Sequence, residues 1–398
     1  MRANIPNICA VAGAKPADET IATRPHLPVA LFFGILLYEQ NPIRIAYNRN
    51  IIRHGRNLRI RRFGMLGLGA AALLWGCAEP NSPTYPSVKY ALRQISLTRT
   101  PGWAQDVWVD GSLAYIADDE RGVTIVDVSH IGNPVIADTI PTVKNAMAVR
   151  GVPEFQLLFV DEDRVAGYEL ATKQVKATPW EGGVLDLDVR DIGNGQILIA
   201  EVNEKEGWFA FTLLEYDTIR TFWMPTGGVQ LWPNPRFGWF RGADMDSNWV
   251  YLAHGQSGLD CYSMTYTGGN YTMTFWGNVD TPGAAYDAAH TADGNYVAVA
   301  DMQGGLVMID VSDKSAPRMV GSLIPEKVNG ASQVWVQGDT AYFFDDFNGI
   351  YAADISDPTA PRLTAFFETP NPKGMFVTED HTIFVADQDA GLYILRWN

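Results

Sequence analysis

Acidic side chains recur at nearly regular intervals along most of the chain. In six of seven copies of one local pattern a short apolar run ends in a carboxylate, and in one copy it ends in a histidine. The positions are Asp118, Asp161, Glu201, His254, Asp301, Asp345 and Asp387. Carboxylates gathered on one surface could hold a cation, of which calcium best suits oxygen ligands, or could attract a basic partner.

The same residues also suit a purely structural role. Asp bonds turn amides and Gly adopts positive φ, so both are typical of tight turns. None of the turns has the spacing of a known calcium loop. The sequence therefore favours a structural role at each turn and predicts no cofactor, with calcium as the alternative.

A second group of candidate residues lies in the longest interval between copies, which runs from 201 to 254. Its aromatic and basic residues are Trp232, Arg236, Trp239, Phe240 and Arg241. Prolines and glycines argue against a regular strand through 223–241. Tryptophan beside arginine suits recognition of a protein or a carbohydrate. We expect this loop to form the rim of a binding face; the open alternative is that its aromatics fill the centre of the fold or cover the fourth unit.

Signatures of catalysis are few. The histidines at 130, 254, 290 and 381 are predicted to lie on different faces, so they should not converge on a metal. The sequence contains no Gly-x-Ser-x-Gly elbow, phosphate-binding glycine loop or zinc-protease helix motif. A pair of carboxylates acting as acid and base stays open, because the distances between acids cannot be read from the sequence.

The elements that must position these residues are short strands in a repeat. The clearest copy predicts strands at 106–109, 114–117, 123–128 and 135–140. A period near 44 residues is typical of propeller blades and not of helical repeats. Seven copies predict an all-β fold, a seven-bladed β-propeller of four-stranded antiparallel blades. The last copy lacks a fourth strand, so we expect the N-terminal segment 89–99 to complete it and close the ring.

The third strands of three copies carry a family resemblance. Gly122-Val-Thr-Ile-Val-Asp127, Gly305-Leu-Val-Met-Ile-Asp310 and Gly349-Ile-Tyr-Ala-Ala-Asp354 resemble the LVIVD repeat. This resemblance implies a bacterial or archaeal surface β-propeller module and implies no particular activity. The segment Asp293–Val297 is similar to lactonase-type propellers, which implies a metal-dependent hydrolase as an alternative.

Residues 59–77 resemble a bacterial lipoprotein signal. A basic stretch, Arg59–Arg62, precedes the apolar run Phe63–Trp75, which is too short to span a membrane as a helix. The resemblance implies that Cys77 is lipidated and begins the mature protein.

The remaining N-terminal segments are assigned by composition. Residues 1–58 do not fit such a leader, and we expect translation to start later, near residues 51–58. Residues 78–88 are rich in proline and serine and predict a tether. Residues 89–398 are then the propeller.

Charge narrows the choice of partner. The whole chain has a formal charge of −15, but residues 78–398 hold 20 basic and 42 acidic residues, a net charge of −22. Such a surface repels nucleic acid and anionic membranes, which leaves membrane contact to the lipid anchor. We expect an extracytoplasmic binding or assembly module, on an outer membrane or cell surface, for another envelope protein or a carbohydrate. A lactonase-like hydrolase and a structural subunit of an envelope complex are the alternatives.

Overall fold

Short strands build nearly all of the chain that the computed structural model describes. The described residues are 92–398 without 143–144, 163, 179–182, 204–205, 233–237, 247 and 268–269. The predicted lipoprotein signal, Cys77, the later start and the tether all lie outside them. No α-helix occurs in the described part, and none of its segments is a helix long and apolar enough to cross a membrane.

The strands follow one another with short connections and a single 3-10 turn at Pro153–Phe155. In chain order they are β1 (Leu92–Thr98), β2 (Asp106–Asp110), β3 (Leu113–Ala117), β4 (Val123–Asp127), β5 (Val135–Ile140), β6 (Ala148–Val152), β7 (Leu157–Asp161), β8 (Val165–Glu169), β9 (Val175–Ala177), β10 (Val184–Gly193), β11 (Gln196–Asn203), β12 (Phe209–Asp217), β13 (Phe222–Leu231), β14 (Gly242–Met245), β15 (Trp249–Ala253), β16 (Leu259–Thr267), β17 (Asn270–Val279), β18 (Asp287–His290), β19 (Tyr296–Ala300), β20 (Leu306–Asp310), β21 (Arg318–Leu323), β22 (Ala331–Gln337), β23 (Thr340–Asp345), β24 (Gly349–Asp354), β25 (Arg362–Phe367), β26 (Pro372–Val377), β27 (Ile383–Asp387) and β28 (Gly391–Trp397).

Antiparallel neighbours group these strands into seven units of four. Units 1 to 6 are β2–β5, β6–β9, β10–β13, β14–β17, β18–β21 and β22–β25, and unit 7 is β26–β28 with β1. The four strands predicted in the clearest copy are present within one residue of their expected bounds. β1 pairs with β28 from Leu92↔Trp397 to Thr98↔Leu392, as expected for an N-terminal strand that completes the last unit.

Hydrogen bonding joins two of the units, so the sheets number six and not the seven that were predicted. Five sheets have four strands, and one has eight because β9 and β13 share a single parallel pair, Trp223↔Ala177. The expectation of separate four-stranded sheets is therefore met by units 1, 4, 5, 6 and 7, whereas units 2 and 3 are linked at their outer strands.

The first strand of each unit lies beside the first strands of the units before and after it. β2, β6, β10, β14, β18, β22 and β26 are neighbours in this order, and β26 lies next to β2 again. A separate hydrophobic cluster occupies each of the seven junctions between successive units. Each strand thus buries side chains toward both adjacent units, which explains why the second and third strands are apolar almost throughout.

One prediction about the long interval is wrong. Residues 222–231 form strand β13 despite Pro225 and two glycines. The strand tolerates proline because it lies on the outer side of its unit, where its only ladder partner besides the single pair with β9 is β12. A bulge in β13 at Thr226 absorbs the irregularity, since Gly227 and Pro225 pair with the consecutive residues Leu213 and Leu214 of β12.

Candidate functional site

The acidic turns tie the strands of each unit to the connection that enters it. Asp301 accepts hydrogen bonds from the Thr281 hydroxyl (2.5 Å) and the Gly283 amide (2.7 Å). Asp345 accepts from the amides of Asn329 (2.5 Å) and Gly330 (2.9 Å). These connections precede the first strands of units 5 and 6, so each carboxylate fastens the start of its own unit.

Asp118 and Asp387 act in the same way. Asp118 accepts from the Gly102 amide (3.0 Å) and the Thr124 hydroxyl (2.7 Å), and Asp387 accepts from the Asn371 amide (2.9 Å). These bonds supply the structural role that the turn chemistry favoured. These carboxylates already accept hydrogen bonds within the fold. A binding role stays a prediction for all four, Asp118, Asp301, Asp345 and Asp387.

The turn positions of units 2, 3 and 4 differ from this pattern. Asp161 accepts from the Val184 amide (3.0 Å), which begins the next unit and not its own. In unit 3 the turn residue is Asn203, whose amide bonds the Trp208 carbonyl, and not Glu201 as the sequence register proposed. Glu201 lies two residues earlier, inside β11. In unit 4 His254 bonds Asp260 through Nδ1 (2.9 Å).

The predicted loop residues separate into exposed and buried sets. Trp232 and Trp239 are 60% and 43% exposed. Phe240 is buried, and the centre of its ring lies 4.6 Å from the centre of the His254 ring. The Arg241 guanidinium lies 5.6 Å from the centre of the Trp239 ring and 5.2 Å from that of Tyr286. Arg236 lies outside the described residues. Of the described loop residues, Trp232 and Trp239 face solvent and Phe240 packs on unit 4, and the binding role of the loop stays a prediction.

A charged cavity of about 340 Å³ lies among the first strands of the units. Its ionisable lining residues are Arg150, Asp186, Asp188, Arg190, Asp244, Asp287 and His290. A second cavity of about 220 Å³ shares Asp186 and Asp287 with it and is also lined by Arg241 and Lys373. Of the predicted binding residues, Arg241 is the one that lines either of these two central cavities.

Four bridging aspartates on the first strands connect units 1, 3, 4 and 5 to the unit that follows each of them; they are Asp106, Asp186, Asp244 and Asp287. Their side chains accept hydrogen bonds from the backbone amides of Val149 (3.0 Å), Ala243 (2.8 Å), His290 (2.5 Å) and Val334 (2.9 Å), respectively. Each bond crosses a junction between units, so these carboxylates hold neighbouring first strands together around the cavity.

Burial and neighbouring charges control the protonation of this group. Burial raises the pKa of Asp186 to about 6, against the lowering effect of the Ala243 amide bond. Burial, together with the charge of Asp186, raises the pKa of Asp287 well above its ordinary value. The pKa of Asp106 is also raised by burial, and the Arg150 guanidinium at 2.5 Å opposes that rise. The lining therefore loses negative charge as the pH falls below neutral.

Sequence reasoning missed these aspartates and Arg150. In the paired strands Asp106, Asp186 and Asp287 lie at the same level, opposite the residue that precedes the turn residue of units 1, 3 and 5. Their distances to the turn residues differ in the sequence, at 12, 17 and 14 residues, so this common level becomes visible only when the strands are paired. The histidines fall as predicted, with His290 on a first strand and His130 and His381 in turns at the opposite end from His254.

Within the described ranges no three His, Cys, Asp or Glu side chains are arranged as a group that could hold a metal ion. This finding does not test the expectation that the protein has no cofactor, or its calcium alternative.

Comparison with known proteins follows the same division of the chain. The LVIVD repeat model matches residues 101–142, 288–324 and 330–369, which belong to units 1, 5 and 6. The predicted resemblance is therefore confirmed, and the chain is a β-propeller-like repeat protein. A comparison with curated proteins found no match.

Many solved structures share the fold. Matches number 1318 chains, a breadth that points to architecture and not to one activity. One is the computationally designed Ika8 protein, with a TM-score of 0.54 and 8% identity over 77% of this chain and 99% of the designed one. At that identity the likeness shows the fold alone.

Proposed function

We propose that the seven units form a seven-bladed β-propeller that binds another envelope protein and is held outside the cytoplasm by a lipid on Cys77. The first strands follow one another in a closed order, and seven hydrophobic clusters alternate with seven units. A linked pair of sheets is compatible with this arrangement, since the link between β9 and β13 is one residue pair. The anchor and the location rest on the sequence pattern of residues 59–77 alone.

Exposed apolar side chains carry the proposal for binding. We use the term turn face for the end of the units that bears the turns at 118–122, 161–165, 203–208, 254–258, 301–305, 345–349 and 387–391, with the connections between units. Sixteen large hydrophobic side chains are exposed in the described part. Seven belong to the turn face: Trp103, Met147, Leu185, Trp232, Trp239, Ile324 and Phe347. Six others lie at or near the opposite end, and none of these is a tryptophan: Val135, Ile136, Tyr216, Ile219, Tyr266 and Met319. Three exposed tryptophans, and not the number of exposed side chains, therefore distinguish the turn face.

The composition of the turn face suits a protein partner. Tryptophan and arginine are the residues that most often dominate the energy of protein interfaces, and Arg241 is already stacked between Trp239 and Tyr286. Phe347 is 76% exposed in a turn whose backbone is fixed by Asp345. A rigid surface of this kind avoids the ordering entropy that a flexible loop would lose on binding.

The hydrolase alternative would need carboxylates available for a metal or a proton transfer. The turn acids and the bridging aspartates instead accept backbone hydrogen bonds that connect strands. Their occupation by structural bonds favours a binding module over a lactonase-like enzyme.

The test is a crosslinking pull-down from intact cells that express the full-length chain. We expect a stoichiometric envelope partner for the wild type and its loss with the double variant Trp232→Ala/Trp239→Ala. Ile219→Ala, a 93% exposed residue at the opposite end, should keep the partner and serves as the control. An unchanged partner in the double variant would refute the turn face as the binding surface.

Three further measurements separate the alternatives. If the double variant unfolds in a thermal melt, the tryptophans are part of the core and not a binding rim. Capture of a polysaccharide in place of a protein would support the carbohydrate alternative. Mass analysis of the native N-terminal peptide should show a lipidated Cys77, and a mature chain that keeps residues 1–58 would contradict both the anchor and the later start.

A further inference from the structure

Glu201 is an exception within the repeat. It lies two residues before the turn residue of unit 3, on the second strand. The other six units place buried hydrophobic residues there: Ile116, Phe159, Leu252, Val299, Phe343 and Val385. The strand pattern therefore does not explain a carboxyl group at this position, because the other six units have apolar side chains there.

The carboxyl group of Glu201 has no partner in the described structure. The residue is 1% exposed, and neither of its side-chain oxygens accepts or donates a hydrogen bond. The hydroxyl of Thr212, on the adjacent strand β12, is likewise buried without a partner. Buried polar groups are nearly always hydrogen-bonded, and those that are not need an explanation.

A cavity of about 490 Å³ lies against this carboxyl group. We call it the side cavity. Its lining residues are Glu201, Trp208, Ala210, Phe211, Gly228, Val229 and Gln230. The register pairs Glu201 with Ala210 and Ala210 with Gln230, so these side chains share one face of unit 3. By the same alternation Trp208 lies on that face, and Ile197 and Ile199, which pack against unit 2, identify it as the face toward unit 2.

Unequal strand lengths account for the cavity. β9, the outer strand of unit 2, has three residues and ends at Ala177, beside Trp223. β13 continues for eight more residues to Leu231, about 26 Å at the usual rise per residue. Beyond Trp223, β9 therefore provides no strand to cover the face of β12 and β13 that contains Ala210, Gly228 and Gln230.

The residue that ends the turn of unit 3 also differs from its counterparts, and it lines the cavity. Units 1, 4, 5, 6 and 7 have glycine where the turn ends, because a side chain there would strike the outer strand. At Gly305, for example, φ is +70° and a Cβ would lie 2.4 Å from the Leu323 carbonyl oxygen. Unit 3 has Trp208 instead, which is nearly buried and lies 6.4 Å, ring centre to ring centre, from the exposed Trp232.

We propose that the side cavity binds an organic cation, an ammonium or guanidinium group on an apolar body, with the Glu201 carboxylate as its counter-ion. Among the described residues, the lining of the cavity contains one acid, no basic side chain, and an indole whose face attracts cations. Asp161 of unit 2 adds negative charge near Glu201. A bound cation supplies the partner that both oxygens lack. The proposal is independent of protein binding at the turn face.

Proton linkage gives the proposal a sharp signature. Burial, with a further contribution from the charge of Asp161, raises the pKa of Glu201 to about 8, so the empty site holds a neutral acid at pH 6.5. A cation binds the ionised form and displaces the proton to solvent. We expect release of about one proton per cation bound. As the pH increases toward about 8, the affinity for the cation should increase about tenfold per pH unit, and above about 8 it should level off.

The experiment is isothermal titration of the full-length protein with 2-phenylethylamine, in two buffers of different ionisation enthalpy at pH 6.5 and 7.5. 2-Phenylethanol is the neutral comparison ligand. We expect the amine to bind with proton release and the alcohol to bind at least about tenfold more weakly. Proton uptake, equal binding of the two ligands, or no amine binding up to about 10 mM would overturn the proposal.

Two variants locate the site and one serves as control. Glu201→Gln keeps the shape and should lower amine affinity at pH 7.5 at least about tenfold and abolish proton release. Ala210→Leu fills the cavity but keeps the acid, and should also block the amine. Glu215→Gln removes an exposed acid from the same strand as Ala210 and should bind like the wild type. Wild-type binding by both Glu201→Gln and Ala210→Leu would refute the side cavity as the site.

Discussion

Asp301 of unit 5 and Glu201 of unit 3 are two buried carboxyl groups near the turn end of a second strand, yet their surroundings are opposite. Burial raises the pKa of Asp301, and the bonds that it accepts from Thr281 and Gly283 oppose that rise. Glu201 has no donor, and its pKa rises to about 8. Residue type alone therefore does not distinguish a structural acid from a candidate binding acid. The supply of nearby amide and hydroxyl donors does.

The same contrast extends to the units that contain them. Unit 5 matches the LVIVD repeat, has a glycine at the end of its turn, and packs on unit 6 through a cluster of buried hydrophobic side chains. Unit 3 falls outside the matched segments, has strands of eight to ten residues, and adjoins the side cavity. The acids of the units that match the repeat have structural roles, whereas the unit that deviates from the repeat contains the buried acid without a hydrogen-bond partner in the described structure.

The largest effect that would test this comparison is on Glu201. The folded state keeps a proton that the unfolded state releases, so the free energy of unfolding should fall as pH rises from about 4.5 to about 8. Glu201→Leu restores the residue type of the other units and removes this loss. At pH 9 we expect a gain of about 5 kcal/mol, because the pKa rises from 4.5 to about 8 and each pH unit contributes about 1.4 kcal/mol; urea unfolding measures it.

The test compares the free energy of unfolding of the wild type with that of Glu201→Leu at each pH. The difference isolates Glu201, because Asp186 and Asp287 titrate in both proteins. Below pH 4 that difference should keep only the packing contribution of leucine. A difference that does not change with pH would mean that Glu201 is ionised in the folded protein, with a partner.

A smaller effect, of the opposite sign, is expected at Asp301. Asp301→Ala leaves the Gly283 amide and the Thr281 hydroxyl without their acceptor, which should cost about 2–3 kcal/mol of unfolding free energy. Asp313→Ala, at an exposed turn of the same unit, is the matched control and should change little. Equal stability of the two variants in urea would show that the turn acids are not structural fasteners.

The smallest effect concerns a group whose pKa is raised by a partner. Asp244 bonds both the backbone amide and Nδ1 of His290, and this bond raises the pKa of His290 above 6.5 against the lowering effects of burial and Arg190. The stability from this pair is present below pH 6.5 and is lost as pH rises through the raised pKa, by about 1 kcal/mol. Histidine NMR should show a titration above pH 6.5 that Asp244→Asn moves downward; an unchanged midpoint would contradict the assignment.

Much of the fold could be predicted from the sequence because its determinants are local. Alternating apolar residues between Asp–Gly turns marked the strands of units 1, 5, 6 and 7, and the missing fourth strand of the last copy predicted the pairing of β1 with β28. The prediction failed for β13, where outer-strand position permitted Pro225, and for the register of unit 3, where Asn203 and not Glu201 begins the turn. Both errors fall in the unit that deviates from the repeat.

The candidate site was less predictable. Trp232 and Trp239 are exposed as a binding rim requires, but Phe240 is core, and sequence cannot separate neighbouring aromatics in an irregular loop. The bridging aspartates were missed because their partners are distant in the chain; Asp186 bonds the amide of Ala243, 57 residues away.

The sequence by itself determined the strand pattern, the seven copies and the family resemblance, since these depend on spacing within one copy of the repeat. It also determined the closing strand, because the last copy has three strands and an unassigned strand precedes the first. Tertiary structure decided which acids are satisfied, because their donors come from other connections and other units. It also decided where a gap remains, because the short β9 and the long β13 meet only in the assembled fold. The repeat can be recognised in the sequence, whereas Glu201 stands out only in the folded protein, where no donor among the described residues bonds its carboxyl group.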